Sequence, residues 1–316
     1  MTIGNISTYT QSQVLLSQVQ QDESALAQTQ SQVASGLVSA TYGGIGDKTA
    51  MMESAQSQAN LATAYSTTAQ MASTQVDLQD SQLTQLASLA SQFQQDITTA
   101  VANNSGSTLM SEAQSIYSQA VAILNSQDAN GSYIYGGGND STPPVTPTTL
   151  SALTALPTAA AAFANGTQKA SVQIGSSETV QVGVLASDVG TQLLQSLQDV
   201  ANFNNGANGN FGAALTSTQS SFLSNEISNA QTAAQTINSA VGANGEVYQQ
   251  LQGAVTQQQS MSTLYLGFVS DVQDVDMATA SANLSQNQVA LQAALEVTSQ
   301  LGKINLLSYL GTTTGG

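Results

Sequence analysis

Asp271, Asp274 and Asp276 place three carboxylates within a few residues, the ligand type of a calcium loop. The stretch lacks the glycine and the distal glutamate that complete an EF-hand. Acids at the positive end of a helix dipole need no metal, so a helix start is the better reading. Gly136-Gly137-Gly138 has the freedom to cradle a phosphate, yet no lysine follows, and the triplet reads as a structural hinge. Serines are abundant, but the chain has no histidine and no cysteine. That removes the usual metal sites and the common nucleophile–base pairs. No HExxH, GxSxG or P-loop pattern accompanies the serines, and the scattered acids offer no recognisable carboxylate pair. These residues predict a chain that is not an enzyme and that takes no cofactor or metal.

The elements that carry these residues are mostly long helices. The 316 residues suffice for two or more domains. Only 7% are charged: three lysines, Lys48, Lys169 and Lys303, face 19 acids, for a net charge of −16. That balance disfavours nucleic acid or an anionic membrane as partner. Gln, Ser, Thr, Asn and Ala fill helical faces where Glu and Lys normally sit. Such a surface either suits packing against copies of itself or reflects a biased source composition. Met1–Thr10 has no basic and apolar run, so no ordinary secretory signal is expected. Nothing approaches the ~18 consecutive apolar residues of a membrane span. These features fit a cytoplasmic and an exported protein equally.

At the C-terminal end, Leu284, Asn287, Leu291, Ala294, Thr298 and Leu301 alternate by threes and fours, a narrow a/d seam. Ser270 is expected to cap that helix with Gln273 reaching back, and Gly267 to end the preceding one. At the N-terminal end, Ile3, Ile6, Tyr9, Leu16, Val19, Leu26, Val33 and Leu37 recur mostly at threes and sevens. Neither helix has a partner nearby in sequence, which predicts a coiled coil closed between the termini.

Between the ends, Ser39–Asp47 is a break. Lys48–Val101 then reads as one very long helix or two in line, its period set by Met51, Leu61, Tyr65, Met71, Val76, Leu83, Leu86, Leu89, Ala90, Phe93 and Ile97. Leu109–Asn125 is a further helix with Ile116, Tyr117, Ala120, Val121 and Leu124 inward. All four prolines fall between Pro143 and Pro157. Val172–Ile174 and Val180–Val184 alternate around Gly175-Ser176-Ser177, a hairpin pattern. Residues 136–188 therefore predict a separately packed, β-containing insert, while the Ala159–Ala162 run has no clear assignment. Helical period resumes at Val189–Phe203, pauses at the Asn/Gly-rich Asn204–Asn210, runs on through Ile237 and returns at Val247–Phe268, with a local break expected at Gly242 and Gly245. The expected architecture is mainly α: a long antiparallel helical rod with paired terminal helices and a small β-containing insert.

The order of several motifs resembles the bacterial flagellin superfamily, and within it the hook–filament junction proteins. Asn5-Ile6-Ser7-Thr8 opens the chain and Val33-Ala34-Ser35-Gly36 closes the first helix as the family's (L/V)ASG does. Gly131-Ser132-Tyr133-Ile134-Tyr135-Gly136-Gly137 and Pro143-Pro144 are similar to the entry into its variable domain. Val275-Asp276-Met277-Ala278 and Leu306-Leu307-Ser308-Tyr309-Leu310 are similar to its C-terminal signature. The LLSYL ending, the paired prolines and the short insert favour the junction branch, with a filament flagellin next. There are departures. Gly46-Asp47-Lys48-Thr49-Ala50 lacks the family's helix-starting proline, Ala87 and Ser88 stand where the family has arginine and glutamate, and Asn244 stands where it has arginine. The charged surface that an innate immune receptor recognises in related flagellins is thereby missing.

The resemblance implies a terminal polymerisation domain (1–43 and 270–316), a helical middle domain (44–135 and 189–269) and the insert (136–188). It implies a flagellar structural subunit that polymerises with itself through Ile6, Leu16, Val19, Leu26, Val33, Leu284, Leu291, Leu301, Leu307 and Leu310. Neighbouring flagellar axial proteins, and a secretion chaperone, would be its other partners. It further implies an extracellular place in the flagellum, reached through the flagellum's own secretion channel without a cleaved signal. A secreted, rod-like adhesin is the alternative of another class.

Overall fold

The computed structural model describes the backbone of residues 3–311 and the side chains of residues 10–300. It is mainly α. The order is α1 (Ile3–Ser35), α2 (Thr49–Ala102), α3 (Leu109–Leu124), α4 (Leu150–Thr154), β1 (Ser171–Gln173), β2 (Thr179–Gln181), α5 (Ala186–Asn205), α6 (Ser217–Gln273) and α7 (Met277–Gly311), with short 3-10 turns between. Two compact units result, one of Met1–Asn60 with Met261–Gly316 and one of Leu61–Ser260.

In the larger unit, α2 supplies one wall of the core. Leu83, Leu86, Phe93 and Ile97 are wholly buried among Ile116, Tyr117 and Leu124 of α3, Leu193 and Leu197 of α5, and Leu223, Ala233 and Ile237 of α6. The inward residues expected for α3 are all buried. The first half of α2 differs from expectation. Met51, Leu61 and Met71 are 59%, 45% and 65% exposed, whereas Ala55, Ala59, Ala62, Ala69 and Ala72 are buried. Both sets recur at helical spacing. The small residues face inward because methyl-sized side chains let a neighbouring backbone come close.

The insert does not pack by itself. Val145, Leu150, Leu153, Ala159 and Ala162 belong to the same core as α3 and α5, and the Ala159–Ala162 run is a 3-10 turn. Polar ties reinforce this. The Tyr117 hydroxyl donates to the Pro147 carbonyl at 2.7 Å, and the Gln198 amide donates to the Leu153 and Leu156 carbonyls, both at 2.9 Å. The hairpin forms as expected, antiparallel with Val172 opposite Val180. Its Ile174, Val180 and Val182 cover Ala69, Ala72 and Val76 of α2 and Leu251, Ala254 and Val255 of α6. Two three-residue strands cannot enclose a core of their own, so they borrow one from the helices.

Gly137 closes the turn that leads into the insert. Its φ is +62°, and a Cβ there would lie 2.6 Å from the Gly166 carbonyl oxygen. The triplet is thus a structural turn, matching the hinge reading. Helix α6, in contrast, runs unbroken through Gly242, Gly245 and Gly267. Each glycine costs a helix about 1 kcal/mol. The buried Asn244 between the first two offsets part of this, its amide donating to the Val76 carbonyl at 2.9 Å and to Asp80 Oδ1 at 3.3 Å.

Ile174, 1% exposed, is the deepest hairpin residue against α2 and α6. Ile174→Ala is expected to lower the stability of the larger unit by ~2–5 kcal/mol, read from the urea-unfolding midpoint. An unchanged midpoint would show that the hairpin is mere decoration.

Candidate assembly interface

The smaller unit is built on α1 and α7, which lie antiparallel. After α1, Gly36 takes φ +74° and its N–H returns to the Gln32 carbonyl at 2.8 Å, the left-handed helix ending that glycine adopts without cost. Leu37 then forms an isolated antiparallel bridge with Asp274. Within it the Val38 N–H donates to the Gln273 carbonyl and the Val275 N–H to the Gly36 carbonyl, each at 2.8 Å. Farther along, the Asn287 amide donates to the Ala25 carbonyl at 3.3 Å and to Thr29 Oγ1 at 3.4 Å. A buried amide on such a seam fixes register at some cost in stability.

On α7, Leu284, Asn287, Leu291, Ala294 and Thr298 are the half-buried positions, matching the spacing read from the sequence. On α1, Val19, Leu26 and Val33 are half-buried as expected, but Leu16 is 49% exposed and Leu15 turns inward instead. Thr29, 8% exposed, also sits in this seam and is a residue the apolar pattern passes over. Its hydroxyl satisfies itself on the Ala25 and Leu26 carbonyls at 3.0 Å, which lets a polar side chain fill an apolar position. Ile6, Leu301, Leu307 and Leu310 lie outside the residues whose side chains are described.

The start of α7 differs from expectation. Ser270 belongs to α6, and its hydroxyl donates to Asp274 Oδ2. The cap is Asp276. Its Oδ1 accepts from the Ala278 N–H at 2.9 Å and the Thr279 N–H at 3.3 Å, and its Oδ2 accepts from the Thr279 hydroxyl at 2.9 Å. The Thr279 hydroxyl first, then these N–H groups, hold the Asp276 carboxyl below the usual carboxylate range. An aspartate with threonine three residues on, just before an apolar run, is the signal that identifies it. With Asp274 and Asp276 so occupied, the aspartate set is helix-end chemistry. Among the described residues no cluster of three metal-type ligands occurs.

What remains is apolar surface. Val14 and Val289 are 64% and 65% exposed, and Leu16, Leu295 and Val297 each show nearly half their area. Leu264, Leu266 and Phe268 do the same at the end of α6. Among the described residues, every large apolar side chain exposed to this degree belongs to the smaller unit except Leu61, Met71 and Leu78. The clefts of the larger unit compete poorly as sites. In the 350 Å³ cleft beside the glycine turn, Asp128 accepts from the Asn130 and Ser132 N–H groups, and Lys169 is paired with Asp188 at 2.9 Å.

Residues 226–310 match the family described as the bacterial flagellin C-terminal helical region. Over those residues the chain is similar to that family. The matched residues are most of α6 and nearly all of α7, including the cap and the seam described above. Among solved structures, the chain is similar to one from Vibrio parahaemolyticus described as a flagellar hook-associated protein. The TM-score is 0.59 and the identity 10%, over 72% of this chain and 97% of that one. That likeness is one of fold. Comparison with curated proteins gives no match.

The cap can be tested directly. Asp276→Ala should speed amide exchange at Ala278 and Thr279, whereas Asp276→Asn should preserve protection. Because the carboxyl is held below its ordinary value, the charged cap is fully present above the usual carboxylate pKa. It is lost as pH falls through the depressed one. Equal protection in the alanine variant at neutral pH would remove Asp276 from this role.

Proposed function

We propose that this chain is a structural subunit of the bacterial flagellum, that it sits at the junction between hook and filament, and that it assembles with copies of itself through residues 1–43 and 270–316. The observation that carries the assembly reading is the concentration of exposed large apolar side chains on the smaller unit. Each such side chain is worth about 1.5–3 kcal/mol on full burial, and a regular polymer repeats that gain at every contact. A surface with almost no lysine or arginine presents little charge to desolvate at such contacts. The junction position is supported by the LLSYL ending, the paired prolines Pro143-Pro144 and the short insert. Neighbouring axial proteins would then flank it. Export through the flagellar channel without a cleaved signal, and a secretion chaperone as a transient partner, belong to the same reading. No catalytic role is assigned to the chain.

A filament subunit built on the same plan is the second reading, favoured by the match of α6 and α7 to the flagellin C-terminal region. Immuno-electron microscopy separates the two: label confined to the base of the filament supports the junction, and label along its length supports the filament. A ligand-binding secreted adhesin would label neither and would stay monomeric.

For assembly, Leu295→Asp on the outer face of α7 is expected to abolish polymers seen by electron microscopy while circular dichroism of the subunit stays unchanged. Leu291→Asp, inside the α1–α7 seam, should abolish assembly and also raise amide exchange in both helices. Normal polymers from both proteins would show that the terminal helices are not the assembling surface.

A further inference from the structure

We propose that the Leu61–Ser260 unit is an acid-strengthened fold, in which carboxylates enclosed by α2, α3, α5 and α6 meet hydrogen-bonding groups and other carboxylates but no cation. This rests on the fold alone and not on how the chain assembles. Four acids make the case. Asp96 on α2 faces Glu112 on α3, and its Oδ2 is buried without a hydrogen-bond partner. Glu226 on α6 is only 5% exposed. It accepts from the Ser196 hydroxyl at 3.0 Å and the Asn229 amide at 2.9 Å, and it faces Asp199 on α5. Asp199 in turn accepts from the Gln195 amide at 2.9 Å. The chain has no arginine and no histidine. The ion pair found among the described residues, Lys169–Asp188, is at the surface, and neither of its residues faces these acids.

Burial, and then the Glu112 charge, pushes the Asp96 carboxyl up to about 6. Burial also raises Glu226, with Ser196 and Asn229 opposing and Asp199 adding, and it raises Asp199 against the Gln195 hydrogen bond. A carboxyl raised on folding contributes stability that is complete below its ordinary value, near 3.8 for aspartate, and that is lost as pH rises through the folded one. For Asp96 the window is therefore from about 4 to about 6. Acid normally unfolds proteins by breaking ion pairs and by charging buried histidines. Here the described residues offer one surface pair to break, and the chain has no histidine to charge. Within this unit the opposing group is Asp128, which is held low by the Ser132 and Asn130 N–H groups but is only half-buried. A chain so built suits an acidic surrounding.

The test is urea unfolding of the full chain at about pH 7.5 and about pH 4, with amide exchange in α3 and α5 as the local readout. One unit of displacement is about a tenfold change in the folded-to-unfolded ratio. The larger unit should therefore gain about tenfold or more on acidification. Relief of the net charge of −16 would act in the same direction. The near-isosteric Asp96→Asn, Glu226→Gln protein separates the two: it should be more stable than the parent at neutral pH and gain clearly less on acidification, keeping only the share due to net charge and Asp199. Carbon-13 titration of Asp96 in the unaltered protein, expected well above the ordinary aspartate value, covers the case in which the double variant does not fold. A ratio that falls on acidification overturns the proposal. So does an unchanged slope in the variant, or an Asp96 that titrates at its ordinary value.

Discussion

The face that α2 turns inward governs what every other element of the larger unit can do. Where that face is alanine and valine, at Ala69, Ala72 and Val76, it is thin, and a two-stranded hairpin with Leu251, Ala254 and Val255 of α6 suffices to cover it. Where it becomes Leu83, Leu86, Phe93 and Ile97, it is thick and needs α3, α5 and α6 together. The switch occurs within one uninterrupted helix of 54 residues. It decides where the chain changes from a narrow pairing to a multi-helix core. The insert follows from it: its residues are placed where the helices leave apolar surface uncovered.

Much of this was legible, for identifiable reasons. The α7 seam was readable because Leu284, Leu291 and Thr298 lie along one face that pairs with α1, so regular spacing marks them. The hairpin was readable because Val172 and Val180 alternate around a glycine-serine turn. The α2 face was not, since ranking by size points to Met51, Leu61 and Met71, while packing distance selects the alanines beside them. The cap at Asp276 was obscured by Ser270 and Gln273, an equally good capping pair that α6 absorbs. Gly267 misled for the same reason: with nothing near its missing side chain, the helix simply continues. The choice of Leu15 over Leu16 could not be read either, because adjacent leucines fit a seam of threes and fours about equally. Only the position of Ala25 and Thr29 opposite Asn287 fixes the rotation.

With so few cations, amides take the place that ion pairs hold in most proteins. Gln82 accepts from both the Tyr135 hydroxyl and Ser126. Asn125 makes a two-way contact with the Val145 backbone, and the Gln219 amide gathers the carbonyls of Asn208, Gly209 and Asn210. Each of these ties elements or loops without bringing a full charge out of water, the step that makes buried ion pairs costly. Amides also keep their hydrogen bonds at any pH where the backbone does. The same chemistry that leaves the surface sparsely charged therefore secures the interior.

The contact between Asn287 and Ala25 joins residues 262 positions apart. A chain made from its N-terminus completes α1 before α2–α6 and must carry it unpaired until α7 has appeared. Closing so long a loop is among the slowest events available to a folding chain, since its entropy must be lost before any contact rewards it. The larger unit closes over shorter separations, 168 positions between Asn244 and Val76. The chain thus carries a built-in order of events, middle first and ends last. The surface formed by α1 and α7 cannot exist before α7 has been made.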